Sequence, residues 1–310
     1  MKNKVVVISG PTASGKSKLA VDIATKTNGV VVNCDSMQIY KGIPVISVAP
    51  SAEEYAKAEH RLFEIYDCNF RGNVVDWTRL CANTIEEIWN EQKIPVVVGG
   101  TGMYVDSLLN GVSPIPATPP QVREKVNFLL QTRGLEYLYS ELQKFDAVSA
   151  NKLAPKDKTR IMRATEVFYA TGKTISEWHK LPQIKILPEA DFLVVKVFPE
   201  LAEIEQRCCS RLDTMVTKSG ALDEIKRLIE QNISEEMPAM KALGVPELGR
   251  YIKGEITLQQ ALDLAKLHTR QYAKRQRTWL KHRLHADIEL FDVYRGQPEF
   301  VAQILNAINL

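Results

Sequence analysis

The sequence predicts an α/β fold in which a parallel sheet flanked by helices is interrupted by a small all-helical insertion domain. Three observations carry that prediction. Short apolar, mostly β-branched runs at residues 5–8, 29–33, 94–98 and 192–197 are too brief for helices and read as buried parallel strands. The first of them ends in GPTASGKS and opens into a helical segment. A proline-dense stretch, SPIPATPP at 113–120, separates the third run from about sixty residues of helical periodicity with no strand of note.

Gly10, Pro11, Thr12, Ala13, Ser14, Gly15, Lys16 and Ser17 follow the pattern G-x-x-x-x-G-K-S between the first strand and a helix over 17–26. The glycines let the backbone fold back so that successive N–H groups point at phosphate oxygens. Lys16 adds a cation and Ser17 a hydroxyl suited to Mg²⁺. The helix aims the positive end of its dipole at the same anion. A glycine-rich turn can match such a pattern by chance, but the full match in a strand–turn–helix setting favours a bound polyphosphate and a P-loop NTPase-like parallel sheet. The motif does not name the chemistry.

The second strand runs into Cys34, Asp35, Ser36, Met37 and Gln38. Ligands of doubly wound sheets sit beyond the carboxyl ends of the strands, so Asp35 is expected to face the phosphate loop. The competing reading is a turn or helix cap. A helix over 74–92 leads to the third strand, which closes on Gly99, Gly100, Thr101 and Gly102; adjacent glycines there suit close backbone approach to a ligand.

The proline-dense segment can hold neither a long helix nor an inner strand, so it reads as a boundary. Residues 1–116 then form the first part of the core, 117–186 the helical insertion and 187–310 the second part of the core. In the insertion, Arg160 and Arg163 taken alone read as solvating a helix face. After the fourth strand a helix carries Arg207, Arg211 and Lys218. Between residues 264 and 286 stand Lys266, Arg270, Lys274, Arg275, Arg277, Lys281 and Arg283 with no acidic residue, against 40 basic and 37 acidic residues and a formal charge of +3 for the whole chain. Wound as a helix, Lys266, Arg270, Lys274, Arg277 and Lys281 share one face, a stripe without acidic relief that suits a phosphate backbone. Tyr272 and Trp279 fall on another face and read as core.

At 310 residues and 45% hydrophobic, the chain can bury a large core. No apolar run is long enough to span a bilayer, and the first strand begins close to Met1, leaving no room for a signal or transit peptide. A cytoplasmic protein with no membrane partner is expected. Cys34, Cys68, Cys81, Cys208 and Cys209 form no C-x-x-C pair and read as reduced thiols rather than disulfides or zinc ligands.

GPTASGKS at 10–17, NCDSMQIY at 33–40, GGTGMY at 99–104 and HTRQYAKRQRTWLKHR at 268–283 resemble the signature blocks of the tRNA dimethylallyltransferase family, also called tRNA isopentenyltransferases. The resemblance runs nearly end to end. It favours the bacterial type, because the zinc finger appended in eukaryotic relatives has no counterpart in this sequence. It implies transfer of a dimethylallyl group from dimethylallyl diphosphate to N6 of the adenine 3′-adjacent to the anticodon of tRNA, with Mg²⁺ as cofactor and diphosphate as leaving group. By resemblance, Asp35 accepts the N6 proton, Lys16 and Arg211 serve the diphosphate, Thr12 and Thr101 bond it near its bridging oxygen, Ser17 holds the metal, and Arg123 matches a functional position. Contacts to tRNA are implied for Asp35, Ser36, Met37 and Gln38, for Thr159, Arg160, Ile161, Met162 and Arg163, and for Arg270, Gln271, Lys274 and Arg277. A tRNA-binding insertion and a monomeric enzyme are the corresponding expectations. The chain departs from the family pattern in three places. PVISVAP at 44–50 replaces something like Asp-Ile-Gly-Thr-Ala-Lys-Pro, Leu201 replaces an arginine, and Gly244-Val245-Pro246 stands where a Gly-Tyr is expected.

Other classes keep parts of the pattern. A P-loop kinase of a nucleotide or small metabolite would retain residues 10–17 yet needs an ATP lid and an adenine pocket. An adenylate isopentenyltransferase shares the chemistry but has little use for the insertion and the basic stripe. A non-catalytic RNA-binding protein needs no aligned Asp35 and Arg211.

Overall fold

In the computed structural model, which describes residues 3–308, β1 (Lys4–Ser9) lies in the middle of the molecule's sheet. Its side chains alternate between faces. Val5 and Val7 join one core cluster while Val6 and Ile8 join the other, so helices must cover both sides. After α1 (Lys16–Thr27) come β2 (Val30–Asn33), the short helices α2 (Pro44–Ser47) and α3 (Ala52–Lys57), β3 (Glu59–Arg61), α4 (Val74–Asn90) and β4 (Pro95–Gly99). α5 (Gly102–Asn110) leads into the helical segment α6 (Pro120–Phe145), α7 (Ala147–Ala150), α8 (Lys158–Thr171) and α9 (Ile175–Trp178). The chain then returns through β5 (Asp191–Val197), α10 (Leu201–Thr217), α11 (Ala221–Glu230), α12 (Val245–Ile252), α13 (Leu258–Arg283), β6 (Ile288–Leu290) and α14 (Pro298–Ile308).

The strands run in the order β3-β2-β4-β1-β5-β6 and every pairing is parallel. Because β4 slots between β2 and β1 while β5 takes the other side, β1 is the switch point. The loops leaving β1, β2 and β4 therefore gather at one carboxyl edge. The four expected strands are present; β3 and β6 are additions. Each is a three-residue edge strand, and Glu59-His60-Arg61 carries no apolar run to announce it. On one face Leu19, Ile23, Ile304 and Ile308 cover the sheet; on the other Trp77, Ile85, Leu228, Leu248 and Leu280 do so. Among the described residues no helix is long and apolar enough to cross a membrane.

The chain divides into two compact units, one running to Leu109 and resuming at Ile186, the other spanning Asn110–Lys185. The second unit is helical, with Val126, Leu138, Leu142, Ala150, Ile161 and Ala164 as its buried centre and a break in α6 at Gly134 (φ 83°, ψ 171°). It starts earlier than the residue 117 expected from composition. Val112 and Ile184 exchange backbone hydrogen bonds of 3.0 and 2.9 Å, so the proline-dense segment lies inside this unit rather than ahead of it.

Candidate active site

The phosphate loop begins where β1 ends and is held from behind by the segment preceding α14. The N–H of Tyr294 donates to the carbonyl of Ser14 (3.0 Å), and a Cβ on Gly15 (φ 86°) would stand 2.2 Å from the carbonyl oxygen of Tyr294. Only glycine fits there. α1 starts at Lys16, whose ammonium donates to the carbonyl of Pro11 (3.3 Å). Burial lowers the Lys16 pKa; the nearby Asp35 carboxylate opposes the shift and the Arg211 guanidinium adds to it. The loop thus presents a partly buried cation, suited to an anionic ligand.

Asp35 sits just past β2, where Asn33, wholly buried, accepts the N–H of Asp35 (2.7 Å) and donates to the carbonyls of Asp35 (3.1 Å) and Leu62 (3.0 Å). One carboxylate oxygen of Asp35 accepts the N–H of Met37 at 2.9 Å. The turn-cap reading and the cleft-facing reading are therefore both realised, since Asp35 also lines a cavity of about 600 Å³ with Thr12, Lys16, Ser17, Gln38, Arg207 and Arg211. Thr101, after β4, accepts the N–H of Ser36 (3.0 Å) and donates to its hydroxyl (3.2 Å), tying the β4 loop to the β2 loop.

α10 contributes two cations on one face. Arg211 donates to the Thr12 hydroxyl at 2.5 Å and Arg207 to the carbonyl of Ala13 at 2.9 Å. Arg207 had no assigned role in the sequence; its place four residues before Arg211 on a helix was the available signal. The unusual 44–50 segment forms α2, whose first N–H groups, on Val45 and Ile46, are taken by the buried carboxylate of Glu224 at 2.8 and 2.9 Å. Its last residues accept from the Gln38 amide at Ser47 (3.1 Å) and Val48 (2.6 Å), which fixes Gln38 at the cavity wall. Leu201 opens α10, and Val245-Pro246 starts α12, where Glu247 reaches back to the N–H of Gly244 (3.1 Å).

The stripe on α13 is less uniform than its spacing suggests. Arg270, Gln271, Lys274 and Lys281 are exposed, but Lys266 pairs with Asp213 at 2.6 Å, and Arg277 donates to the carbonyl of Pro199 while stacking 4.0 Å from the centre of the Phe198 ring. Asp213, on α10, supplies the acidic relief that the local sequence lacks. Exposed Gln271, Lys274, Arg275, His282 and Arg283 border an open groove of about 560 Å³ floored by Trp279. Tyr272 is a second correction. It is half-buried rather than core, and its hydroxyl lies near the side chains of Thr101 and Gln276, beside the polar site. Gln276 itself bonds the backbone of Thr12 and of Gly100.

In the helical unit, Thr159 and Arg160 are exposed at the start of α8, and Arg123 is exposed on α6. Arg163 donates to Thr118 at 2.6 Å; burial lowers its pKa, with the charge of Glu166 opposing and that of Arg123 adding to the shift. Ile161 is fully buried in the unit's core, which removes its side chain from any RNA surface, and Met162 packs against the same core.

A phosphate loop with converging cations and a carboxylate across the same cleft, on a parallel sheet at its switch point, defines a P-loop-type enzyme acting on a polyphosphate substrate. The profile described as IPP transferase matches residues 38–283, and the chain belongs to that family. It is similar to the tRNA dimethylallyltransferase of a Bradyrhizobium species (strain BTAi1), with 41% identity over 91% of this chain and 92% of the relative. Among solved structures it resembles a eukaryotic dimethylallyltransferase described as acting on tRNA (33% identity, TM-score 0.83, covering 99% of this chain and 78% of that one). It also resembles the tRNA isopentenylpyrophosphate transferase of Bacillus halodurans (30% identity, TM-score 0.70, covering 99% and 96%).

Proposed function

We propose that the chain is a tRNA dimethylallyltransferase, moving a dimethylallyl group from dimethylallyl diphosphate to N6 of the adenine 3′-adjacent to the anticodon and releasing diphosphate. The observation that carries this reading is one cavity of about 600 Å³, roomy enough for a diphosphate, lined by Lys16, Arg207, Arg211 and Thr12 on one hand and by Asp35 on the other. The adenine N6 amine is a weak nucleophile because its lone pair is delocalised into the ring. As the N–C bond forms, Asp35 accepts the N6 proton; as the C–O bond breaks, its electron pair leaves on the diphosphate, where Lys16 and the Arg211 fork meet the growing charge. Thr12 and Thr101 bond the diphosphate near its bridging oxygen. The exposed Ser17 hydroxyl suits Mg²⁺, which takes few protein oxygens and completes its shell with phosphate and water. When bound, the ion adds positive charge beside the leaving group.

The acceptor adenine is stacked in its loop and must be flipped out, which costs a few kcal/mol. Backbone contacts to the tRNA offset that cost. Arg270, Gln271 and Lys274 on α13, and Thr159, Arg160 and Arg123 on the helical unit, are the exposed groups suited to it. The test is incubation with labelled dimethylallyl diphosphate and either bulk tRNA or AMP. Label in tRNA alone supports the proposal, whereas label in AMP, or ATP-dependent phosphorylation of a small acceptor, overturns it.

A further inference from the structure

A polar side chain buried in the middle of a long helix must find partners or weaken the fold. Gln276 on α13 is 7% exposed, and its two partners lie on two different loops of the active site. Its carbonyl oxygen accepts the N–H of Thr12 at 2.9 Å, and its amide nitrogen donates to the carbonyl of Gly100 at 2.8 Å. A reversed amide would set donor against donor and acceptor against acceptor, so the pair of bonds selects one orientation. Gly100 is shaped for this contact: a Cβ there would stand 2.4 Å from the amide nitrogen. One turn earlier on the same face stands Tyr272, whose hydroxyl lies near the side chains of Gln276 and Thr101, and Thr101 accepts the N–H of Ser36 beside Asp35. Between them Ala273 is buried in a small apolar cluster with Ile204, Cys208 and Val293, against which Ala13 of the phosphate loop packs.

The consequence for Thr12 is specific. Its N–H is already taken by Gln276, so it offers substrate its hydroxyl, and that hydroxyl is held by Arg211. We infer that Gln276, supported by Tyr272, is a positioning residue of the transfer reaction: it fixes the spacing between the loop that receives the diphosphate and the loops that carry Thr101 and Asp35. The inference rests on the reading of the chain as a dimethylallyltransferase and adds to it two side chains that touch no reacting atom.

Two full-length variants test it. Gln276→Met fills the space and makes neither bond. Gln276→Glu keeps the acceptor for Thr12, but when ionised it repels the carbonyl of Gly100; once protonated, it regains a donor. With both substrates saturating, single-turnover transfer falls roughly 10- to 100-fold in each, as expected when reacting groups are misplaced by a fraction of an ångström to about 1 Å, while tRNA affinity holds within about threefold. Relative to wild type, the Gln276→Glu rate climbs as pH is lowered toward the carboxyl range, and the Gln276→Met ratio stays flat. Tyr272→Phe, which keeps the ring and its packing, lowers the rate severalfold. Amide exchange at Thr12 supplies a readout that needs no catalysis: slow in wild type, faster in Gln276→Met. A wild-type protein that modifies no tRNA sinks the functional reading, and the exchange experiment then still judges the clamp. Wild-type transfer rates in folded Gln276→Met, a pH-independent ratio for Gln276→Glu, or unchanged exchange at Thr12 overturns it.

Discussion

Asp35 meets two demands with one carboxylate. One oxygen caps the turn through the N–H of Met37, and the group as a whole faces Lys16 across the cavity. Asparagine preserves the first function and removes the second, because its amide oxygen still accepts from Met37 but takes no proton. Asp35→Asn is therefore expected to fold normally, keep its tRNA affinity and lose about 10²- to 10⁴-fold in the single-turnover rate, or roughly 3–5 kcal/mol. A rate within a few-fold of wild type would reduce Asp35 to a turn cap. Lys16 makes a pH-dependent demand. Burial lowers its pKa in the free chain, whereas a bound diphosphate favours the ammonium, so the complex holds more protons than the separated partners wherever Lys16 titrates. Affinity for dimethylallyl diphosphate is complete below that lowered pKa and falls as pH rises through it toward the ordinary value of 10.5. Calorimetric titrations at successively higher pH toward that ordinary value, in buffers of different ionisation enthalpy, should register proton uptake; none, together with a flat affinity, would contradict the assignment.

At the scale of elements, α13 turns one face to the loops of the site and another to solvent, and its cations divide accordingly. Replacing exposed Arg270 and Lys274 by Gln should weaken tRNA binding and flatten its salt dependence by up to about 0.7 to 0.9 log units per lost phosphate contact. Arg277→Gln should behave differently, since that guanidinium is committed to Pro199 and Phe198. A loss of about 1–2 kcal/mol of stability, read in thermal melts, is expected with little change in the salt slope. Helical turn arithmetic placed these residues on one face, but which were free depended on partners on and just before α10, more than fifty residues away in sequence. α2 carries the same lesson. The segment 44–50 departs from the family pattern, yet Glu224 on α11 takes its first N–H groups. Glu224→Ala leaves those groups buried without partners and should cost about 2 kcal/mol, with faster amide exchange at Val45 and Ile46.

At the scale of the molecule, the order of the strands does the positioning. β1, β2 and β4 lie side by side, so three loops far apart in sequence meet at one edge, and Thr12, Asp35 and Thr101 arrive together. Those loops were legible because each follows a buried β-branched run and carries glycine or a lone acid. β3 and β6 were not, because a three-residue edge strand has too few side chains to show a period. The polar framework was not legible either: Asn33, Arg207, Tyr272 and Gln276 acquire their meaning from hydrogen bonds or packing that only the assembled fold provides.

Coupling of carbon transfer to an RNA base with loss of diphosphate in one cavity predicts a fixed stoichiometry. A single-turnover reaction with limiting dimethylallyl diphosphate, following released diphosphate and N6-modified adenosine in digested tRNA together, tests it most directly. One diphosphate is expected for each modified adenosine, with none released without tRNA and no ATP consumed. Diphosphate released at the same rate without tRNA, or tRNA left unmodified while ATP is cleaved, would contradict it.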